Sequence, residues 1–280
     1  VEQLRAHRRT ILRVAAHANA TSATGERNPG PKVVVEVAVD SVAGALAAAA
    51  GGADRLELCA DLHAGGLTPS LGLCEEVVAA VRIPVFAMLR PRPGDFLYDR
   101  GEFAAMQRDA AHLRRAGAAG LVGGVLGADG SLDAERTAEL LAAAAGAPFT
   151  CHRAFDVCRD ADAALEQLVA LGVARVLTSG QAANALAGAP VIRRLVARAA
   201  GRITVLAGAG VRDGNVRELV AASGVREVHL SATAWVASGM VFRRDGVPMG
   251  GTAPADEYSL RTTDGAMVAR VVQALASMRG

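Results

Sequence analysis

The residues able to do chemistry stand as isolated polar side chains in apolar runs. Glu36 is alone among valines at 33–37, and a carboxylate in such a run is costly to bury unless it is paired or used. Glu57 and Cys59 follow Arg55 at a spacing of two. All three therefore share one face of an extended segment, while Leu56 and Leu58 take the other. Arg90 opens the loop RPRPGDF at 90–96. Its planar fork suits a carboxylate or phosphate, and it could equally pair with Glu36 or Glu57. His152 closes an apolar run in TCHRAFD at 150–156, with Thr150, Arg153 and Asp156 around it, which makes it an acid–base or metal candidate. Two carboxylates, an arginine and two histidines, His152 and His229 at 227–231, are the parts of an acid–base site for a small, anionic, oxygen-rich molecule. In that reading His152 and Glu36 exchange protons and Arg90 neutralises charge. Isomerisation, epimerisation and elimination would each fit. Cys59 is either a small hydrophobe or a thiol at the same site. His63 and His112 are expected on the surface. Lys32 is the single lysine against 29 arginines and precedes the first predicted strand. Schiff-base chemistry, which needs a lysine at the site, is thereby excluded.

These residues need a frame that brings them together, and glycines outline it. A helix stop, a strand, a glycine-rich loop and a helix cap at Ser70 all fit within GGADRLELCADLHAGGLTPS at 51–70. The same helix-to-strand joint recurs at Gly117, Gly172 and Gly224, which with Gly52 lie 65, 55 and 52 residues apart. One βα unit of a barrel takes roughly 30 residues, so each interval holds two units and four pairs make eight. The spacing predicts an α/β fold, a (β/α)8 TIM barrel, as one domain over 32–280. Its strands are expected at 33–37, 54–58, 85–89, 121–125, 148–152, 175–178, 203–207 and 227–231. In such barrels the C-terminal strand ends carry the chemistry. Gly123 and Gly124 leave room at the fourth strand for a ligand or a large neighbour. Gly208 and Gly210 after the seventh strand, with Ser231 after the eighth, fall where barrels bind phosphate. Residues 235–251 form a long last loop, a lid or an oligomer contact, and a final helix is expected over 256–278.

Composition limits the function classes. Hydrophobic residues make 51% of the chain but aromatic ones only 3%, so the core is aliphatic and much of it alanine. A net charge of +2 is too small to argue for nucleic acid or a membrane surface. No apolar run reaches the roughly 20 residues of a membrane helix. Cys59, Cys74, Cys151 and Cys158 form no CxxC pair, which suits a reduced, cytoplasmic protein. Residues 1–31 begin arginine-rich and continue polar, with Gly and Pro. They are expected to be a flexible or non-native extension outside the fold, the alternative being a basic amphipathic helix at 4–18, as in a transit peptide or surface anchor.

GGADRLELC, GGLTPS, RPRPGDF, TCHRAFD, RVLTSG, AGAGV, EVHLSA and DEYSL occur in order along the chain. Together they resemble the CutC family, named for copper homeostasis, from about residue 33 to the end. The resemblance implies a cytoplasmic TIM barrel, a homodimer or higher homo-oligomer, and copper, as Cu(I), as the bound metal. Carried over to this chain, the barrel-mouth residues are Glu36, Glu57, Cys59, Arg90, His152, Ser179 and His229. Ser179 and His229 join Gly208, Gly210 and Ser231 in a candidate anion site, and Cys59 is the candidate copper ligand. The chain departs from the family pattern in two places: Ala38 stands where some relatives have cysteine, and Cys151 stands where phenylalanine is usual. Cu(I) prefers thiolate and thioether donors. Cys59 alone offers one at the mouth, since Cys151 is expected to point outward and no methionines form an MxxM or MxM pair. A copper-binding or trafficking protein and an acid–base enzyme are thus the two expectations. What separates them is whether a second soft donor lies within reach of Cys59.

Overall fold

The computed structural model describes residues 32–244, 246–247 and 257–278. Eight strands alternate with helices: β1 Val34–Val39, α1 Val42–Ala50, β2 Arg55–Leu58, α2 Leu71–Ala80, β3 Val85–Met88, α3 Arg100–Arg115, β4 Gly120–Gly123, α4 Ala134–Ala143, β5 Phe149–Cys151, α5 Ala161–Ala170, β6 Arg175–Thr178, α6 Ala189–Ala199, β7 Thr204–Ala207, α7 Val216–Ser223 and β8 Glu227–Leu230. The strands are parallel and close into a barrel, β1 pairing with both β2 and β8. This is the (β/α)8 TIM barrel that the glycine spacing predicts. Short 3-10 helices at Leu62–Ala64 and Arg153–Val157 lie in the loops after β2 and β5. After β8, an antiparallel ribbon of β9 Thr233–Ala237 and β10 Ser259–Thr263 precedes α8 Gly265–Ala276. Part of the expected last loop is therefore strand β9, on which Trp235 and Val236 are exposed. The expected extension at 1–31 lies outside the described residues.

Local chemistry explains the punctuation. Gly52, Gly117, Gly172 and Gly224 all take left-handed φ between +74° and +96°, which ends one helix and turns the chain into the next strand. Side chains of Ser41, Ser70, Asp99, Asp133, Asp160 and Asp264 accept backbone N–H bonds at helix starts, Asp99 in a reciprocal box with Glu102. One face of each strand packs outward against the helices. Val35, Val37, Leu56, Leu58, Leu121, Phe149, Cys151 and Val205 belong to that main core with Leu165, Ile192 and Leu195 from the helices. The opposite face fills the barrel lumen, and that face carries the polar residues.

Candidate active site

Parity and register decide which polar residues meet. Glu36 is the third of six residues in β1 rather than near its end, and its register neighbours are Arg55 on β2 and His229 on β8. All three face the lumen. Arg55 Nε donates to Glu36 Oε2, and His229 Nδ1 lies 2.8 Å from Glu36 Oε1. Burial alone would raise the Glu36 carboxyl, but His229 and the Arg55 charge outweigh it and hold it at about 2. Below this pair, Glu227 accepts from Arg55 Nη2 at 2.5 Å and from Arg175 Nε at 3.0 Å. Both guanidinium groups sit over the Phe86 ring, at 5.2 and 5.3 Å. The network locks the lower lumen and aims His229 upward. Burial lowers the His229 pKa, yet the carboxylates of Glu57 and Glu36 raise it further, so the net direction is up and the imidazolium is favoured.

Above this level Glu57 lies 3.7 Å from His229 Nε2 and accepts from Cys59 Sγ, also at 3.7 Å. Its carboxyl pKa is raised, by burial first and then by Glu36, with His229 opposing. The Cys59 thiol is pushed well above its ordinary value by burial and by Glu57. A cavity of about 300 Å3 opens over these groups, lined by Glu57, His229, Met88, Arg90, Phe96, His152, Leu177, Arg153, Asp156, Val157, Ala64 and Gly65. Arg90 is not the partner of Glu36 or Glu57. Its Nη1 donates to the carbonyls of Ala64 and Gly66 at 2.9 and 3.2 Å, and its Nη2 to that of Gly94 at 3.0 Å. It thus staples the loops after β2 and β3, with its guanidinium over Phe96. Phe96 in turn packs against the His152 ring at 4.9 Å.

His152 differs sharply from His229. Its Nδ1 accepts the Ala154 N–H at 3.2 Å, while burial and the Arg90 charge bring its pKa down to about 3. The ring is neutral, with its proton on Nε2. The proton exchange expected between His152 and Glu36 is therefore corrected: the barrel pairs Glu36 with His229, and His152 is a hydrogen-bond donor. Three buried polar atoms in the cavity wall have no protein partner: Glu57 Oε1, Arg90 Nε and His152 Nε2.

The candidate anion-site residues other than His229 fall in the loops after β6, β7 and β8. Asp156 already occupies the loop after β6, accepting from Thr178 Oγ1 at 2.5 Å, from Ser179 N and Oγ at 2.9 Å, and from Gln181 N at 3.2 Å. The Gly208 N–H is spent on the Thr178 carbonyl at 3.0 Å. A Cβ at Gly208 would lie 2.5 Å from Leu177 and 3.2 Å from His229, so this glycine makes room for the site rather than binding an anion. The Gly210 carbonyl accepts from Asn215, and Ser231 Oγ accepts from Thr233. His229 belongs instead with Glu36 and Glu57. Sequence reasoning passed over Met88 and Phe96. Met88 was within reach, because it sits two residues before Arg90 and so shares its side of β3.

The family model of the CutC family matches residues 33–234. The chain belongs to the CutC family. It is 46% identical to the human copper homeostasis protein cutC homolog over 253 residues, 90% of this chain and 92% of that protein. It is 49% identical to a CutC family protein of Citrobacter koseri over 238 residues, 85% of this chain and 95% of that one. Among solved structures, a CutC protein from Streptococcus agalactiae superposes with a TM-score of 0.68 at 31% identity, covering 70% of this chain and 97% of that chain.

Few of the side chains near the mouth suit copper. Glu36, Glu57 and His229 stand close enough to hold a cation, but Glu36 is engaged by Arg55 and His229. Cys151 faces the outer core, as its parity predicts, and Cys74 and Cys158 are also outside the lumen. Cys59 and Met88, however, pack together in a small cluster inside the barrel. A Cβ on Gly66 would touch both, at 2.9 Å from Cys59 Sγ and 3.4 Å from Met88 Cε. One thiol and one thioether are the minimum soft pair for Cu(I). Among the described residues, no helix is long and apolar enough to cross a membrane.

Proposed function

We propose that the barrel mouth is the active site of an enzyme that moves protons on a small, oxygen-rich anion. The observation carrying this reading is that Glu57, Arg90 and His152 line one cavity and that each has a buried polar atom (Oε1, Nε and Nε2) with no protein partner. Leaving a buried polar group unpaired costs about 1–3 kcal/mol, and three in one wall are best explained by a ligand that completes them. A cavity of about 300 Å3 suits a small metabolite. Glu57 is the proton acceptor. His229, fixed by Glu36 and Arg55, places a positive charge beside it. The test is a thermal-shift screen of carboxylated and phosphorylated small molecules against the wild type and Val157→Trp. Val157 is exposed on the cavity rim, so this change blocks the mouth without entering the core. Stabilisation by a small carboxylate or phosphate that disappears in Val157→Trp supports the reading. No stabilisation, or stabilisation that survives the block, overturns it.

A second reading rests on the Cys59–Met88 pair and on the copper homeostasis names of the relatives. Here Cys59 and Met88 hold one Cu(I) beneath Gly66. A Cu(I) competition titration on reduced protein should then show one-to-one binding, lost in both Cys59→Ser and Met88→Leu. Binding indifferent to either substitution sinks it.

A further inference from the structure

The neutral histidine in the cavity wall narrows the substrate. His152 cannot accept a proton at Nδ1 without losing the Ala154 N–H, so Nε2–H is fixed as a donor. Arg90 spends three of its five N–H groups on loop carbonyls, and its buried Nε–H has no acceptor in the protein. The two residues meet across Phe96, whose ring contacts both. Among the residues lining the cavity, Arg90 and His152 therefore each keep an N–H donor with no acceptor, and Glu57 keeps in Oε1 an acceptor with no donor. An anion held only by charge would need no such division. A carbonyl compound losing a proton next to its carbonyl needs both sides at once.

We propose that the substrate is a small carbonyl compound of the α-keto acid or α-hydroxy ketone class. Glu57 removes a proton from the carbon beside the carbonyl, and His152 Nε2–H and Arg90 Nε–H hold the oxygen of the resulting enolate. The C–H electron pair becomes the C=C bond and the carbonyl π pair moves to oxygen, so no oxidant or co-reactant enters. With an α-hydroxy ketone, the hydroxyl proton moves to the enolate oxygen within the bound molecule and Glu57 returns its proton to the former carbonyl carbon, giving the isomeric hydroxy carbonyl compound. With an α-keto acid, Glu57 returns the proton to the same carbon and the net reaction is hydrogen exchange. A neutral imidazole is the better partner here, because it donates a hydrogen bond without giving up its proton to the enolate. The proposal rests on the mouth being a small-molecule active site and adds what the site recognises.

Oxalate and lactate test it. Oxalate is planar and mimics the enolate of an α-keto acid, whereas lactate is of similar size with a tetrahedral carbon. Calorimetric titrations should show the wild type preferring oxalate by about 100-fold, as sites complementary to a transition state do. His152→Phe should bring that preference to within about threefold, and His152→Gln, which keeps an N–H donor, should restore most of it. Glu57→Gln should bind oxalate at least as tightly as the wild type, since the base is not needed to hold a finished enolate mimic. Circular dichroism confirms that each variant folds. Equal affinity for the two acids, or a preference unchanged in His152→Phe, overturns the enolate proposal while the binding site stands. If neither acid binds and no compound in the thermal-shift screen does, the active-site reading fails and takes this proposal with it.

Discussion

At the scale of single residues, the site is defined by two histidines whose surroundings drive them apart. His229 lies between Glu36 and Glu57 and is favoured as the cation. His152 lies under Phe96, near Arg90, and is held neutral. That difference has a thermodynamic signature. The His152 pKa falls from an ordinary 6.5 to about 3 in the fold, so below 6.5 the unfolded chain takes up a proton that the folded chain refuses. Stability from this residue is fully present above pH 6.5 and is lost as pH falls toward 3, at up to about 1.4 kcal/mol per unit. Glu36, held at about 2 against an ordinary 4.5, adds acid sensitivity only below 4.5. Urea unfolding at pH 7 and pH 5 separates the two. Between those pH values the wild type should lose about 2 kcal/mol more than His152→Phe. Equal losses would mean that His152 titrates normally in the fold.

At the scale of elements, the strands position the site by what they lack as much as by what they carry. Gly124, just past β4, makes room for the His152 ring and Ala154. A Cβ there would stand 2.8 Å from His152 Nδ1 and 2.9 Å from its Cε1. Of the ligand and the large neighbour expected beside the glycines of β4, the fold supplies the neighbour. Gly124→Ala should cost about 1–3 kcal/mol by overpacking, and it should weaken small-acid binding more than tenfold by turning the ring. Gly72→Ala is the control: it lies on α2 with nothing within 4 Å of its added Cβ and should stabilise by about 0.5–1 kcal/mol. Chemical denaturation and calorimetry on the two variants check both effects. Gly124→Ala binding like the wild type would show that the ring position is irrelevant.

The barrel was legible at this scale because its helix stops need left-handed backbone, and Gly52, Gly117, Gly172 and Gly224 announce them at two-unit intervals. The parity of β2 was legible too, since Arg55, Glu57 and Cys59 alternate with leucines and do face the lumen. The pairing of Glu36 was not. It depends on β1 closing against β8, which brings together residues 193 apart in the chain, and on a register that no local pattern encodes. Asp156 filling the loop at Ser179 was hidden for a similar reason, because the 3-10 helix that carries it folds back onto β6.

At the scale of the molecule, the lumen is graded from ion pairs to reactive groups. Arg175, Glu227, Arg55 and Glu36 neutralise one another at the lower level, and His229 passes that order upward to Glu57. Removing one member of a buried network of this kind leaves its neighbour charged and unpaired, which is costly. The level beneath is joined by ion pairs, while Glu57, Arg90 and His152 at the mouth each keep a polar atom without a protein partner. The chain belongs to the CutC family, with relatives named for copper homeostasis, and the Cys59–Met88 pair is where the two proposed chemistries would compete for one wall of the barrel.

The central claim is that one cavity holds a neutral donor histidine and a charged histidine at the same pH. Nitrogen-15 NMR of protein labelled at its six histidines tests it most directly, with His152→Gln and His229→Gln used to assign the two signals. The account predicts that at pH 7 His152 carries a proton on Nε2 alone and that His229 is protonated on both nitrogens. A doubly protonated His152, or one with its proton on Nδ1, would contradict it.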